Sequence, residues 1–496
     1  MPQNQQASVS HSNSGDERSP LNVGYVIPQS SLPDIPALES ELSWPAVLEQ
    51  AVDLLRQYLR FPTINDPLRL SSTDLQNSPW LAGCEADAAK WLASVLQDMG
   101  IAAELLESAP GRINLIARLS TGNSSKPPLI LLSHSDVVPV SRQEWDSKID
   151  PFSGTVHDGY IYGRGALDLK GLGIAHAMIA ILLRKLRVPL NRDVILLVVA
   201  DEEAGGHFGT KWMIQHRPEL LQCGLVFGEG GFSVRGLWHG RDVHAIAVAE
   251  KGCLELECVA ESNGHHASII SGDAPPARLV AALNRVLSMK FGMRITPATK
   301  SFLESLANEA EGPARFLFRL PLLKSRLTAR HLSKIPAVNA MLHDTIALTV
   351  LESGMKGNLV PGQARAVLNI RLLPGSDLDT MREKIGSEFS KDGIRISQLP
   401  THTHPANTSD FQTQEFAALA KHAVGQQGGI VAPILSPGAS DGRYFRSAGV
   451  PCYGWVPFPI SPADLGGVHG PNERVAISSF EQGIRSLYWA VLEIAG

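Results

Sequence analysis

The chain has 496 residues, a length typical of an enzyme with two or three domains and a large buried core. Its 44 basic and 49 acidic residues give a net charge of −5, which argues against a protein that binds nucleic acid. The five cysteines are scattered and form no CxxC pair, which argues against a disulfide framework and against a thiolate zinc site.

The amino-terminal region is polar and contains no pattern typical of a secretory signal. Residues 1–42 are rich in Ser, Gln, Asn and Pro, and we predict that they form a flexible tail. No stretch of about 18 uncharged apolar residues is present to span a membrane. Together with the unpaired cysteines, these features predict a soluble cytoplasmic protein with neither a membrane nor a nucleic acid as partner.

Hydrophobic periodicity predicts the elements of the folded body in chain order. Apolar residues with a 3.6-residue period predict helices at 43–59 and 85–99. Short apolar runs then alternate with helical stretches, giving strands at 129–133, 194–200 and 225–228 and helices at 172–186 and 208–216. This alternation predicts an α/β fold, with a mostly parallel sheet between helices and a functional site at the carboxyl ends of its strands.

Near residue 250 the pattern changes to a small βαββαβ unit. It has strands at 253–260, 345–352 and 364–372 and helices after Pro276 and at 377–389. We therefore expect an inserted α+β lid or dimerisation domain at 249–402, between two parts of one catalytic domain at 43–248 and 403–496.

Residues 314–344 combine basic and apolar side chains, and their two interpretations are a membrane-surface helix and a pair of partly buried helices. We expect the second, because Pro321 and Pro336 interrupt any long amphipathic helix. The apolar residues at 316–327 would then be candidates to line a site for an acyl chain.

The predicted strand ends and nearby loops carry acids and histidines. His134 and Asp136 follow the first parallel strand two residues apart, so their side chains lie on the same side of the chain. Asp136 is then placed to bind one ring nitrogen of His134 while the other nitrogen binds a metal. By itself this pair is weak evidence, because a buried histidine without a metal shows the same pattern.

The remaining acids strengthen the case for a metal. Asp168 lies in a glycine-rich turn before a helix, where its alternative role is to cap that helix. Asp201, Glu202 and Glu203 end an apolar strand, and adjacent acids repel one another unless a cation or a proton intervenes. Two further candidates occupy glycine-rich segments later in the chain, namely Glu229 and His469.

Two histidines and three acids without a cysteine suit zinc, manganese or cobalt. Five ligands exceed the needs of one open zinc site, so we expect two divalent ions that share a carboxylate. Zinc is the expected metal, with cobalt and manganese as alternatives. This arrangement leaves one glutamate free to act as a general base.

The segment 438–442 also matches the GxSxG pattern of a serine hydrolase, and Asp464 and His469 follow Ser440 in the order of an α/β-hydrolase triad. The chain after Ser440 is too short for the usual elements that carry the acid and the histidine. That alternative also leaves the acidic strand ends unexplained.

Taken together, the motifs resemble the M20 metallopeptidase family, which includes aminoacylase-1, carboxypeptidase S and N-fatty-acyl-amino-acid hydrolases. The resemblance covers the chain from about residue 45 and depends on separated motifs in the family's order. Among them are His134-Ser-Asp136-Val-Val-Pro, Tyr162-Gly-Arg-Gly-Ala-Leu-Asp168, Glu229-Gly-Gly and the late His469.

The resemblance implies specific roles at the metal site. Its five ligands would be His134 and Glu229 on one ion, Glu203 and His469 on the other, and Asp168 between them. Asp136 would orient His134, and Glu202 would be the base that takes a proton from the attacking water and passes it to the leaving nitrogen.

The resemblance also assigns roles in the inserted domain. Asn263-Gly-His-His-Ala267 stands where the family has Ser-Gly-His-Ser-Ser, so His265 would stabilise the oxyanion, in related dimers from the neighbouring subunit. The adjacent His266 leaves open which imidazole acts. Asn358, Arg371 and Arg443 match positions that bind the substrate carboxylate and close the lid.

These features predict a two-metal hydrolase that cleaves an amide bond next to a free carboxylate and releases an amino acid. A peptide and an N-acyl-amino acid remain equal candidates for the substrate, because the ligand set is shared by both activities. A homodimer through the inserted domain is expected. The alternative from another class is a non-catalytic relative that binds acylated amino acids.

Overall fold

The structure is a computed structural model that describes residues 42–65, 85–122, 124–269, 273–309, 329–330, 333–425 and 428–496. Residues 1–41 of the predicted tail and the predicted acyl-site residues 316–327 lie outside the described residues. Among the described helices, none has the length and apolar character that a membrane span requires.

The described residues form helices and strands in alternating groups. The helices are α1 Trp44–Tyr58, α2 Ala86–Asp98, α3 Lys170–Lys185, α4 Thr210–His216, α5 Pro275–Leu287, α6 Pro297–Asn308, α7 Pro336–Leu342, α8 Leu378–Ser390, α9 Gln414–Val424, α10 Gly442–Ser447, α11 Pro462–Leu465 and α12 Ile477–Ala495. The first strands are β1 Ala103–Ala109, β2 Arg112–Leu119, β3 Leu129–His134, β4 Thr155–His157, β5 Tyr160–Tyr162, β6 Val194–Val199, β7 Leu225–Trp238, β8 Arg241–Glu250 and β9 Gly252–Glu261. The later strands are β10 His265–His266, β11 Thr345–Ser353, β12 Leu359–Val360, β13 Gln363–Leu372, β14 Arg395–His404, β15 Asn407–Thr408, β16 Ile430–Ser436, β17 Cys452–Ile460 and β18 Arg474–Ala476.

The large sheet has the strand order β1-β2-β6-β3-β7-β17-β8-β15, and β16 pairs with β8. Its central strands β6, β3, β7 and β17 are mutually parallel, whereas β1 and β2 are antiparallel additions at one edge. The predicted α/β fold with a mostly parallel centre is therefore confirmed.

Burial on both faces explains why β3 and β6 are continuous apolar runs. Along β6, Leu196 and Val198 contact the core beneath α1, α3 and α12, whereas Ile195 and Leu197 belong to the core on the opposite face. That second core includes Met213 of α4 and also a phenylalanine of α10. Successive side chains of a strand point to opposite faces, so one apolar run fills two cores.

A second sheet, in the order β11-β13-β9-β14, carries α5 and α8 on one face. Its strands are antiparallel, and its separate core includes Leu283 of α5 and Phe389 of α8. The chain enters this unit between Glu250 and Gly252 and finally leaves it after His404, but in between α6 and α7 return to the core of the large sheet. The predicted α+β insertion is confirmed as a feature of the fold.

The strand β7 differs from its prediction. The predicted strand ends at Gly228, but the observed strand continues to Trp238, and Glu229 lies inside it. The register against β17 is irregular beyond Gly228, and Gly230 has a φ of 124° that favours glycine. The acid is thus held at an irregularity within a long strand, next to the parallel strands that carry the other acids.

Candidate active site

The predicted metal ligands converge at one edge of the large sheet. His134 is the last residue of β3, and Glu202 and Glu203 follow β6 after Asp201. Asp168 lies in the turn before α3, and no side chain caps that helix, so the alternative capping role has no support. The two remaining predicted ligands, Glu229 and His469, come from β7 and from the loop before β18.

Asp168 lies between the two histidines. Its Oδ1 is 3.2 Å from His134 Nε2, and its Oδ2 is 2.9 Å from His469 Nε2. Glu229 Oε1 is 3.7 Å from His134 Nε2, and Glu203 Oε2 is 3.4 Å from His469 Nε2. Each oxygen of Asp168 thus faces one histidine that has its own neighbouring glutamate.

The donor set fits divalent cations. Within the described residues, His134, Asp168 and Glu203 offer ligand atoms within 4.8 Å of one another, and so do His134, Glu202 and Glu229. The second group includes Glu202, to which the sequence analysis gives the role of base. Glu203 Oε1 is buried and has no hydrogen-bond partner among the described residues. Buried polar atoms are normally paired, so this oxygen is suited to bind a cation.

Electrostatics support the same interpretation. Burial raises the pKa values of Glu203 and Glu229 to about 7, and the negative charge of Asp168 contributes to both shifts. Burial, followed by the charge of Glu229, raises the pKa of Glu202 well above its usual value. Buried acids at such short separation require protons or cations to offset their repulsion.

Asp136 contacts both His134 and the turn that carries the two glutamates. His134 Nδ1 donates to the backbone oxygen of Asp136 at 3.0 Å, whereas the carboxylate Oδ1 is 3.5 Å away. The carboxylate accepts hydrogen bonds from the backbone N–H groups of Glu202 and Glu203 at 3.1 and 3.0 Å. It also accepts from Asn65 Nδ2 at 2.9 Å. Asp136 thus positions the turn that carries both glutamates, and its backbone orients the imidazole.

A cavity of about 230 Å³ opens beside these acids. Arg371, Arg443 and His404 line it together with the acids and His469. Both arginines were predicted from the sequence, whereas His404 was not, and the available signal for it was a histidine at the return from the inserted unit. Burial, followed by the charge of Arg443, lowers the pKa of His404 to about 4, so this imidazole is neutral near pH 7.

The guanidinium of Arg443 is fixed by its surroundings. Nη1 donates to the backbone oxygen of Ser440 at 2.8 Å, and Nη2 donates to the backbone oxygen of Gly205 at 2.7 Å. Nη1 lies 3.8 Å from Glu202 Oε1. Arg443 therefore joins the loop of the predicted base to the loop after β16 and presents a positive charge to the cavity.

His265 and Asn358 do not line the cavity of their own chain. His265 pairs with Val360 across the short strands β10 and β12, and Ala267 N donates to Asn358 O at 3.0 Å. Asn358 and His266 are exposed. The inserted unit therefore gathers these side chains on its own surface, and the fold of a single chain does not bring them to the acids.

The geometry does not support the serine-hydrolase alternative. The Ser440 hydroxyl donates to Glu250, and the Ser440 N–H donates to the same carboxylate at 3.0 Å. Asp464 accepts from Arg474 Nε at 2.8 Å, whereas His469 contacts Asp168. The three members of the proposed triad thus have separate partners.

Comparison with known proteins agrees with this geometry. Human N-fatty-acyl-amino acid synthase/hydrolase PM20D1 is 28% identical over 372 residues, which are 73% of each chain. Rat aminoacylase-1A is 26% identical over 439 residues, covering 88% of this chain and 92% of its own. The crystal structure of the M20 family metallo-carboxypeptidase Sso-CP2 from Sulfolobus solfataricus superposes with a TM-score of 0.68 at 21% identity, covering 90% of this chain and 99% of its own. Residues 130–493 match the model of peptidase family M20/M25/M40, and the chain belongs to this family.

Proposed function

We propose that the protein hydrolyses an amide bond next to a free carboxylate and releases an amino acid from a peptide or an N-acyl-amino acid. Its family and relatives make it a metal-dependent amidohydrolase. The observation that carries the finer proposal is the placement of Asp168, whose two oxygens face His134 and His469 beside a cavity lined by arginines.

Two divalent ions, for which we propose zinc, suit the five donors. The proposed ligands are His134 and Glu229 for one ion, Glu203 and His469 for the other, and Asp168 between them. When bound, such ions lower the pKa of a water towards neutrality and polarise the carbonyl of the scissile amide.

Glu202 is the proposed general base. Burial and the charge of Glu229 raise the pKa of Glu202, which makes its carboxylate a stronger acceptor for the proton of the attacking water. The same carboxyl then gives that proton to the leaving nitrogen. The bond from its backbone N–H to Asp136 holds the turn in place, and Arg443 limits the movement of its side chain.

The two arginines that line the cavity support recognition of a carboxylate. Arginine binds carboxylates through two parallel N–H donors. Arg443 already donates to two backbone oxygens through Nη1 and Nη2, whereas Arg371 donates to Asn369 Oδ1 at 2.8 Å through Nε. We therefore assign the substrate carboxylate to Arg371 and a supporting charge to Arg443.

The inserted unit is proposed to form a homodimer. β11 is an edge strand of the second sheet. Leu351 in β11, Met355 just after it and Val280 in α5 are exposed apolar residues of this unit. An open edge with apolar side chains is a surface that pairs readily with another strand. Pairing of two copies would bring His265 of one copy towards the cavity of the other, because His265 does not line the cavity of its own chain.

Replacement of Glu202 tests the activity. We expect Glu202→Gln to retain two equivalents of zinc and to reduce kcat by about 10²–10⁴-fold on a panel of dipeptides and N-acyl-amino acids. Removal of the metal with a strong chelator should abolish turnover, and added zinc should restore it.

The matched control is Glu415→Gln, because Glu415 lies in α9 and pairs with Arg192. We expect this variant to keep full activity. Wild-type turnover by Glu202→Gln would reject the base assignment, and binding of the substrates without any turnover by the wild type would instead favour the non-catalytic alternative.

A further inference from the structure

The carboxylate of Glu473 lies at the junction of two loops that carry proposed metal ligands. Oε1 accepts hydrogen bonds from the backbone N–H groups of Leu167 and Asp168 at 2.7 and 3.0 Å. Oε2 accepts from Gly165 N at 2.9 Å and from Arg164 Nη1 at 2.8 Å. The side chain has no solvent exposure, so these four donors replace water around its charge.

Arg164 connects the same carboxylate to the other loop. Its Nη2 donates to the backbone oxygens of His469 and Gly470 at 3.3 and 2.9 Å. His469 has a φ of 58°, in the left-handed region that non-glycine residues adopt only when the surroundings hold them there. Its side chain is 53% exposed, so packing alone does not fix it.

We propose that Arg164 and Glu473 form a positioning pair that sets the separation of Asp168 and His469, and thereby the affinity for the metal ion held between them. This inference depends on the two-metal proposal above. Neither side chain is assigned to the metal or the substrate. Among the described residues, they donate to or accept from each other and the backbone of the two ligand loops.

The cost of burial supports a positional role. A buried ion pair gains little stability over apolar residues of similar size, because both charges lose their hydration. The side chains of Arg164 and Glu473 are 3% and 0% exposed, and they form hydrogen bonds with backbone groups of fixed direction. Such a pair is suited to fixing one arrangement of two loops, and partners that orient metal ligands typically affect metal affinity.

Zinc titration of chelator-stripped protein by calorimetry tests the pair. In Glu473→Gln the amide N–H₂ replaces one acceptor oxygen and faces a backbone N–H donor. We therefore expect the ion held by Asp168 and His469 to bind about 10–100-fold more weakly. Arg164→Lys keeps the charge but loses the planar fork, and we expect a smaller loss at the same ion. Far-ultraviolet circular dichroism and the thermal midpoint of the metal-free variants check that each is folded.

The matched control is Glu250→Gln. Glu250 is also buried, at 2% exposure, and accepts from Ser440 and from Arg446 at 2.6 Å, but it contacts neither ligand loop. We expect this variant to keep the wild-type affinity for both ions.

Unchanged zinc affinities in folded Glu473→Gln or in Arg164→Lys would overturn the positioning role. If Glu473→Gln does not fold, Arg164→Lys decides the question. A wild-type protein that binds only one zinc ion would refute the two-metal proposal but not the positioning pair. In that case, an unchanged affinity for the single ion in Arg164→Lys would overturn the positioning pair.

Discussion

Asp136 illustrates what a short motif predicts at the scale of single residues. Its spacing from His134 correctly predicts that the two residues lie together, because alternate residues of an extended chain share a side. The hydrogen bonds of its carboxylate were not predictable, since two of their donors, the N–H groups of Glu202 and Glu203, come from the end of another strand. Asn65, which also donates to this carboxylate, lies 71 residues away.

The low pKa of His404 predicts a pH-dependent contribution to stability. Its pKa is about 4 in the folded chain against an ordinary value of 6.5, because of burial and the charge of Arg443. Between these values the unfolded chain binds a proton that the folded chain does not, so the folded state loses stability as the pH falls. The contribution is complete above pH 6.5 and is lost towards pH 4.

Chemical denaturation of chelator-stripped wild type and His404→Gln at pH 7, 5.5 and 4 measures this effect. We expect the wild type to lose about 2–3 kcal/mol of unfolding free energy relative to the variant between pH 7 and pH 4. A difference between the two proteins that stays constant with pH would contradict the prediction.

At the scale of elements, local pattern predicted the centres of helices and strands better than their ends. The run Val194–Val199 reads as a buried strand because every side chain is apolar. The glycines around Glu229 predict the end of a strand, but β7 continues to Trp238 and pairs with both β17 and β8. Those pairings involve residues distant in the chain, so the length of this strand depended on the tertiary fold.

Lys251, at the entry to the inserted unit, is an element-scale test. Its buried Nζ donates to the backbone oxygens of Ala340 and His343 at 3.0 and 2.8 Å and to Thr345 Oγ1 at 3.0 Å. The last carbonyls of a helix lack partners within it, and here the lysine supplies one at the end of α7. We expect Lys251→Met to lower the unfolding free energy by about 2–4 kcal/mol, because these acceptors stay buried without a donor.

Urea denaturation of wild type, Lys251→Met and the control variant Lys300→Met measures these changes in unfolding free energy. Lys300 is exposed on α6 and lies 4.0 Å from Glu304, so we expect its replacement to change stability by no more than about 0.5 kcal/mol. Equal stability of the two variants would show that the contacts of Lys251 contribute nothing.

At the scale of the whole molecule, the two sheets have separate cores, and the chain passes between them repeatedly, because α6 and α7 pack in the core of the large sheet although they lie between α5 and β11 in sequence. The acids and both cavity arginines converge in one chain, whereas His265 and Asn358 lie on the surface of the inserted unit. An active site that requires His265 is therefore completed only if another copy supplies it. This is the structural basis of the dimer proposal.

We expect the purified protein to sediment as a dimer in analytical ultracentrifugation and Leu351→Asp to shift it towards the monomer. Because an oxyanion-stabilising donor typically contributes about 10²–10³-fold to kcat, activity should fall with dissociation while the zinc content stays unchanged.

Leu237→Asp is the matched control, since Leu237 is similarly exposed but belongs to the large sheet. We expect this variant to remain a dimer. A monomeric wild type, or a monomeric Leu351→Asp with unchanged kcat, would refute a shared active site.

The sequence by itself determined the alternation of the central strands and helices and the identity of the acids and histidines at the sheet edge. Periodicity is a local property, and parallel strands bring their carboxyl ends together whatever their loops contain. Only the tertiary structure decided that Glu473 meets Arg164 from 309 residues away, that His404 lines the cavity and that His265 does not. These contacts depend on how distant loops and two separate cores pack, and no local pattern encodes that geometry.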